Sequence, residues 1–185
     1  MIAAEHFAEA SLLWSEGRGA IGSLTDGGFE EEARSDEWGF GWRFARDVQN
    51  VKLSLDTDAP REGARSLKVE YAGNSEPATP AVSRLVAVEP GARYRLTFSA
   101  RTKELVTGGP PFVEIVSAAK SGEALATAAP LQPALTTWQE FALEFKAPAA
   151  GAVRVALRRK PCTSAPCPAF GGVWLDAFEL RRIER

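Results

Sequence analysis

The chain has 185 residues, enough for one sizeable hydrophobic core and short for two. Its 22 Lys+Arg nearly balance its 24 Asp+Glu, which excludes the strong net field of a nonspecific nucleic-acid or anionic-membrane binder. No apolar run approaches the ~20 residues that span a bilayer, so no membrane insertion is expected, and the first residues lack the basic-then-apolar order of a secretory signal.

Ile2, His6, Phe7, Ala10, Leu13 and Trp14 recur at helical spacing, which predicts an amphipathic helix over residues 2–14 whose apolar stripe, Phe7 and Leu13 included, covers a sandwich or a neighbouring chain. Glycines in the run 15–23 end it. Residues 1–20 therefore form a helical segment and residues 21–185 a separate module. His6 has no accompanying motif and is read as a packing or surface residue.

Beyond residue 24 the pattern is strands and turns. GGFEEE (27–32) sets carboxylates after an aromatic on an expected first strand, and WGFGWRF (38–44) gives Trp38, Phe40, Trp42 and Phe44 one parity. Residues 51–58 align Val51, Leu53 and Leu55, residues 65–71 align Leu67, Val69 and Tyr71, and residues 93–101 turn Tyr94, Leu96, Phe98 and Ala100 inward. Segments 80–88, 111–118, 136–147 and 152–159 continue the series. Short alternating strands divided by Gly/Pro turns predict an all-β antiparallel sandwich, a jelly roll of the galactose-binding-domain type, with a closed barrel as the alternative.

Cys162 and Cys167, the only cysteines, have four residues between them in a Pro-rich loop. With His6 remote, a zinc site lacks ligands. Two readings stay open: a local disulfide in an oxidising compartment, or two free thiols.

The last strand, GGVWLDAFELRRI (171–183), carries an anomaly. Strict alternation puts Trp174, Asp176, Phe178 and Leu180 on one apolar face, so Asp176 lies among core residues and needs a cation, an arginine or backbone N–H groups. Calcium takes six to eight oxygens from carboxylates and loop carbonyls. Glu30, Asp58 in the 56–63 loop and Asp176 can supply them jointly; alternatively the acids are solvated turn residues and Asp176 pairs with an arginine.

In order, DGGFEEE, GFGW, REGARSLKVEY, VEPGARYRLTFSART, TTWQEFALEFKAP and VWLDAFEL resemble the CenC-like carbohydrate-binding modules, jelly rolls grouped with families four, nine and twenty-two. The similarity covers about residues 24–182. It implies a two-sheet sandwich with a structural calcium ion at its edge, carried here by Glu30 and Asp176, and sugar binding on one face or at the loop tips. Where family members often have a second aspartate after the first, this chain has Ala177. Residues 101–111 and the 153–162 loop also resemble modules found at the C-terminus of bacterial tetratricopeptide-repeat or envelope proteins, which implies a preceding helical-repeat domain as partner and an extracytoplasmic location.

Sugar rings stack on aromatic faces while polar groups bond their hydroxyls. Trp38, Trp42, Arg43 and Trp138 are the candidate ligand residues, although four aromatics of one parity also read as core. With one histidine outside the sandwich and no identifiable carboxylate pair, no catalytic constellation is present. The expected function is noncatalytic binding of a polysaccharide or glycan; the alternative is a structural or protein-interaction domain that kept the jelly roll and lost the sugar site.

Overall fold

The structure is a computed structural model that describes residues 6–14, 20–31, 39–46, 48–119 and 123–184. After one helix, α1 (Phe7–Trp14), ten strands follow: β1 (Trp42–Phe44), β2 (Val51–Asp56), β3 (Ser66–Asn74), β4 (Val82–Ala87), β5 (Arg93–Thr107), β6 (Pro111–Ser117), β7 (Ala124–Thr127), β8 (Gln139–Lys146), β9 (Ala152–Arg159) and β10 (Pro168–Ile183). They form two five-stranded sheets, β1-β4-β9-β6-β7 and β2-β3-β10-β5-β8, with every pairing antiparallel. No helix among the described residues is long and apolar enough to cross a membrane.

The period-two pattern explains the core between the sheets. Leu67, Val69 and Tyr71 on β3 and Tyr94, Leu96, Phe98 and Ala100 on β5 are buried inward, as alternation predicts, against Val113 and Ile115 of β6 and Val153, Val155 and Leu157 of β9. Phe29, Trp42 and Phe178 close one end, with Phe29 to Trp42 ring centroids 4.7 Å apart and Trp42 to Phe178 5.0 Å.

Three local expectations are corrected. Residues 27–30 form a turn rather than a strand. In α1 only Phe7 and Ala10 are buried, against Phe40, Leu85, Ala87 and Ala152 on the outer face of the first sheet, while Leu13 is 67% exposed. The residues 2–5 of the expected helix lie outside the described ones.

The third correction concerns β10. Its register against β5 shifts between Asp176 and Glu179, and Ala177 takes a left-handed φ of 53°. This bulge changes the parity of the strand. Before it Val173 and Leu175 face the core; after it Phe178 and Leu180 do. Trp174 and Asp176 therefore stand on the outer face of the second sheet, opposite to the strict alternation. Asp176 is nonetheless 0% exposed, because the chain around residues 61–62 lies over it.

Candidate functional site: the outer face of the first sheet

On the first sheet the inward set leaves a second set pointing outward. Register aligns Arg43, Ser83, Ala156 and Glu114 in one row across β1, β4, β9 and β6. The next row has Leu85, Arg154 and Val116, and on the other side Arg158 pairs with Phe112. α1 covers the end of this face at Ala87 and Ala152. The opposite end is rimmed by the Cys162 loop.

At that open end a cavity of about 380 Å³ is lined by Pro77, Phe112, Glu114, Arg158, Pro161 and the two cysteines, among others. Its walls are mostly apolar, and four charged residues, Glu76, Glu114, Arg158 and Arg159, contribute to them. Arg158 Nε stands 2.8 Å from Glu114 Oε1 as an ion pair. Both atoms are buried, and neither makes a further hydrogen bond among the described residues. Glu114 is only 7% exposed. The pair stands in the cavity wall, where its remaining carboxylate oxygen and guanidinium N–H groups are the polar atoms that a ligand's hydroxyls can meet. Lys160 Nζ sits 4.4 Å from the centroid of the Phe112 ring.

Cys162 and Cys167 are joined as a disulfide, with Cα atoms 5.5 Å apart. The loop is held further by Arg159, described below. So short a bridged loop contributes at most about 2 kcal/mol by restricting the unfolded chain.

The second carboxylate centre lies at the β10 bulge. Asp176 Oδ2 accepts the N–H groups of Arg61 (2.7 Å) and Glu62 (3.1 Å), and its Oδ1 accepts that of Ala177 (2.7 Å). Glu30 Oε1 accepts the N–H groups of Ala64 (2.9 Å) and Arg65 (3.2 Å). Gly63, at φ 63°, leaves room for Glu30, whose Oε1 would lie 2.1 Å from a Cβ there. The two carboxylates thus clamp one loop. Burial pushes the Asp176 carboxyl above the usual range and the nearby Glu62 charge adds to the shift, while its three N–H bonds oppose it without reversing it.

From outside, the same loop is fastened by aromatics. Trp174 Nε1 donates to Asp56 Oδ2 at 2.6 Å, which with lesser contributions holds the Asp56 carboxyl below its ordinary value. Arg101 lies between the rings of Trp138 (5.2 Å) and Trp174 (4.7 Å) and donates to Asp58 O. Trp138 Nε1 donates to Ala59 O.

The predicted ligand residues do not share a site. Trp42 is a core residue, 5% exposed, with Nε1 donating to Asp26 O, so it offers no stacking face. Arg43 is on the outer face of the first sheet. Trp138, half-buried, stands over the second sheet as a fastener of the 56–65 loop. Trp38 lies outside the described residues. Of the predicted calcium ligands, Glu30 and Asp176 meet beside Gly28, where a Cβ would lie 3.7 Å from Glu30 Oε1 and 3.6 Å from Asp176 Oδ1. Asp58 is held by Arg101 through its backbone carbonyl, and no group of three metal-binding side chains occurs among the described residues. The residues that alternation missed are Glu114 and Arg158. Their signal was a single acid inside the apolar run PFVEIVS and the arginines of VALRR.

No protein-family model matches the chain. No curated protein matches it either. Among solved structures it is similar to one described as "CBM4 structure and function" (TM-score 0.60, 14% identity, covering 87% of this chain and 100% of that one). It is similar to the CBM22-1 xylan-binding domain of Xyn10C from Paenibacillus barcinonensis (TM-score 0.59, 15% identity, 90% and 99% covered). It is also similar to TmCBM61 in complex with β-1,4-galactotriose (TM-score 0.58, 15% identity, 89% and 100% covered). The chain has the jelly-roll fold of the carbohydrate-binding modules.

Proposed function

We propose that the protein is a noncatalytic module that binds a glycan on the outer face of its first sheet, at the cavity formed by Phe112, Glu114 and Arg158. The observation that carries this reading is the Glu114 and Arg158 ion pair set in the wall of a mostly apolar cavity. A sugar hydroxyl both donates and accepts, so one hydroxyl pair satisfies a carboxylate oxygen and a guanidinium N–H together. The shared fold with modules described as binding xylan or galactotriose supports it. Affinity electrophoresis in gels containing soluble xylan or β-1,4-galactan tests it: the wild type should be retarded by at least one glycan. Glu114→Ala should weaken binding about tenfold or more, the scale of one hydrogen bond to a charged group, while Trp138→Ala leaves it unchanged. Equal retardation of wild type and Glu114→Ala would refute the site.

A second reading has its own observation. Among the described residues the Trp and Tyr rings are buried or engaged with charged neighbours, apart from Trp14 on α1. That favours a structural or protein-interaction domain without a sugar platform, the reading that stands if no glycan retards the protein. The disulfide supports an extracytoplasmic, oxidising location under either reading.

We propose in addition that a calcium ion joins Glu30 and Asp176. Asp176 carries a charge that burial disfavours, and a cation relieves that cost; Glu30 Oε2 is the carboxylate oxygen of this pair with no N–H partner among the described residues. A ligand bound only by the native state raises its stability, so calcium added to chelator-treated protein should raise Tm, and Asp176→Asn should abolish the rise. An unchanged Tm would leave the pair as a clamp held by N–H groups alone.

A further inference from the structure

The outer face of the first sheet is not neutral. Beyond the Glu114 and Arg158 pair, β9 carries a second outward arginine, Arg154, four residues back along the strand, about 13 Å away at ~3.3 Å per residue. Arg43 enters the same face from β1, across Ser83. Arg154 feels both neighbours: burial first, then the charges of Arg43 and Arg158, holds its guanidinium below the usual arginine range. Three guanidiniums thus share a face on which Glu114 is the one outward carboxylate of the described strand residues, with Glu76 at the cavity rim and Glu123 beside β7 as the nearby loop carboxylates. Glu114 is committed to Arg158, and Arg43 has an interaction of its own. Arg154 is exposed, and no ion pair joins it to a carboxylate among the described residues.

We infer that the glycan bound on this face is acidic, a polysaccharide bearing uronate carboxylates, and that Arg154 receives one of them. The inference rests on the glycan reading above and adds the ligand class. The planar fork of a guanidinium matches a carboxylate in two parallel hydrogen bonds, and an excess of positive charge on an otherwise near-neutral protein selects anionic ligands over neutral ones. The geometry also gives a polarity. α1 closes the face at Ala152, so a chain seated at the Phe112 and Glu114 cavity runs along β9 and meets Arg154 before the helix. A sulfate or phosphate ester would present similar charge, and the test separates these sources.

Isothermal titration at low and at physiological salt, with polygalacturonate oligosaccharides, their carboxyl-reduced galactose counterparts and dextran sulfate, reads the ligand class. The wild type should bind the uronate oligosaccharide about tenfold or more tightly than the reduced one. Arg154→Ala should remove that preference, and Arg95→Ala on the second sheet should have no effect. Unchanged Tm in Arg154→Ala confirms that folding is intact. Equal affinity for uronate and reduced sugar, or a preference that survives Arg154→Ala, overturns the inference and leaves the glycan reading in place. Tighter binding of dextran sulfate than of the uronate, lost in Arg154→Ala, overturns the carboxylate assignment in favour of ester anions. Absence of binding to every sugar overturns both.

Discussion

Arg159→Met is expected to lower stability by about 4 kcal/mol, or Tm by about 10 °C for a domain of this size, the largest effect of any single change outside the apolar core. The side chain is 5% exposed and has no carboxylate partner among the described residues. Instead its three nitrogens serve three segments at once. Nε donates to Gly109 O at 3.1 Å; one terminal nitrogen donates to Ser75 Oγ at 2.6 Å and Ser75 O at 3.3 Å; the other donates to Cys167 O at 2.7 Å, Pro168 O at 3.3 Å and Thr107 Oγ1 at 3.1 Å. The Tyr71 ring lies 5.7 Å from the guanidinium carbon and accepts part of the charge. Burial holds the Arg159 pKa below its ordinary value; of the carbonyls around it, Pro168 O also accepts from Thr107 Oγ1, while Gly109 O, Ser75 O and Cys167 O take their side-chain donor from Arg159. Removing the donors leaves several buried acceptors unpaired, which outweighs the relief of losing a desolvated charge. Arg159→Lys should recover little, since an ammonium on a flexible stem does not span three segments. Chemical denaturation checks both variants. A loss below 1 kcal/mol would show that the loop relaxes and solvates its carbonyls.

In metal-free buffer Asp176→Ala is expected to cost about 3 kcal/mol, because the N–H groups of Arg61, Glu62 and Ala177 lose their acceptors and the 56–65 loop loses half of its carboxylate clamp. Asp176→Asn should cost less, since it keeps one carbonyl oxygen and carries no charge. The pH dependence has a definite sign. A carboxyl whose folded pKa is raised contributes most stability at low pH and loses that contribution as pH rises through the folded value. The stability gap between wild type and Asp176→Ala should therefore be larger at acidic pH and shrink as pH rises through the raised value. Urea titrations across that range measure it. A gap that widens as pH rises would mean that the N–H bonds outweigh burial and lower the pKa instead.

The strands with a clean apolar alternation were legible from sequence because each buries one face: β3, β5 and β8 carry Leu, Val, Tyr or Phe at every second residue. β7 was not, since Ala124–Thr127 offers only small residues and one leucine and owes its strand form to pairing with β6. Asp176 was recognisable as a charge in an apolar strand, and Glu30 as its companion, but the face was misread. A bulge adds one residue without changing composition, so strict alternation cannot register it. Trp174 followed Asp176 to the wrong face for the same reason. The signal against it was Gly172 two residues earlier, whose Cβ would lie 2.7 Å from the indole ring that folds over it. Aromatics drew attention to Trp42, which tertiary packing with Phe29 and Phe178 takes into the core. The polar pair that lines the cavity comes from strands more than forty residues apart, β6 and β9, joined only by register.

The central claim is that ligand contact falls on the outer face of the first sheet. Backbone chemical-shift mapping during titration with an oligosaccharide, uronate or neutral, tests it most directly. Shifts should concentrate on Phe112, Glu114, Arg154 and Arg158, with Trp138 and Trp174 of the second sheet unmoved. Shifts clustered around Trp138, Trp174 and the 56–65 loop, with the β6 and β9 signals unchanged, would contradict the account.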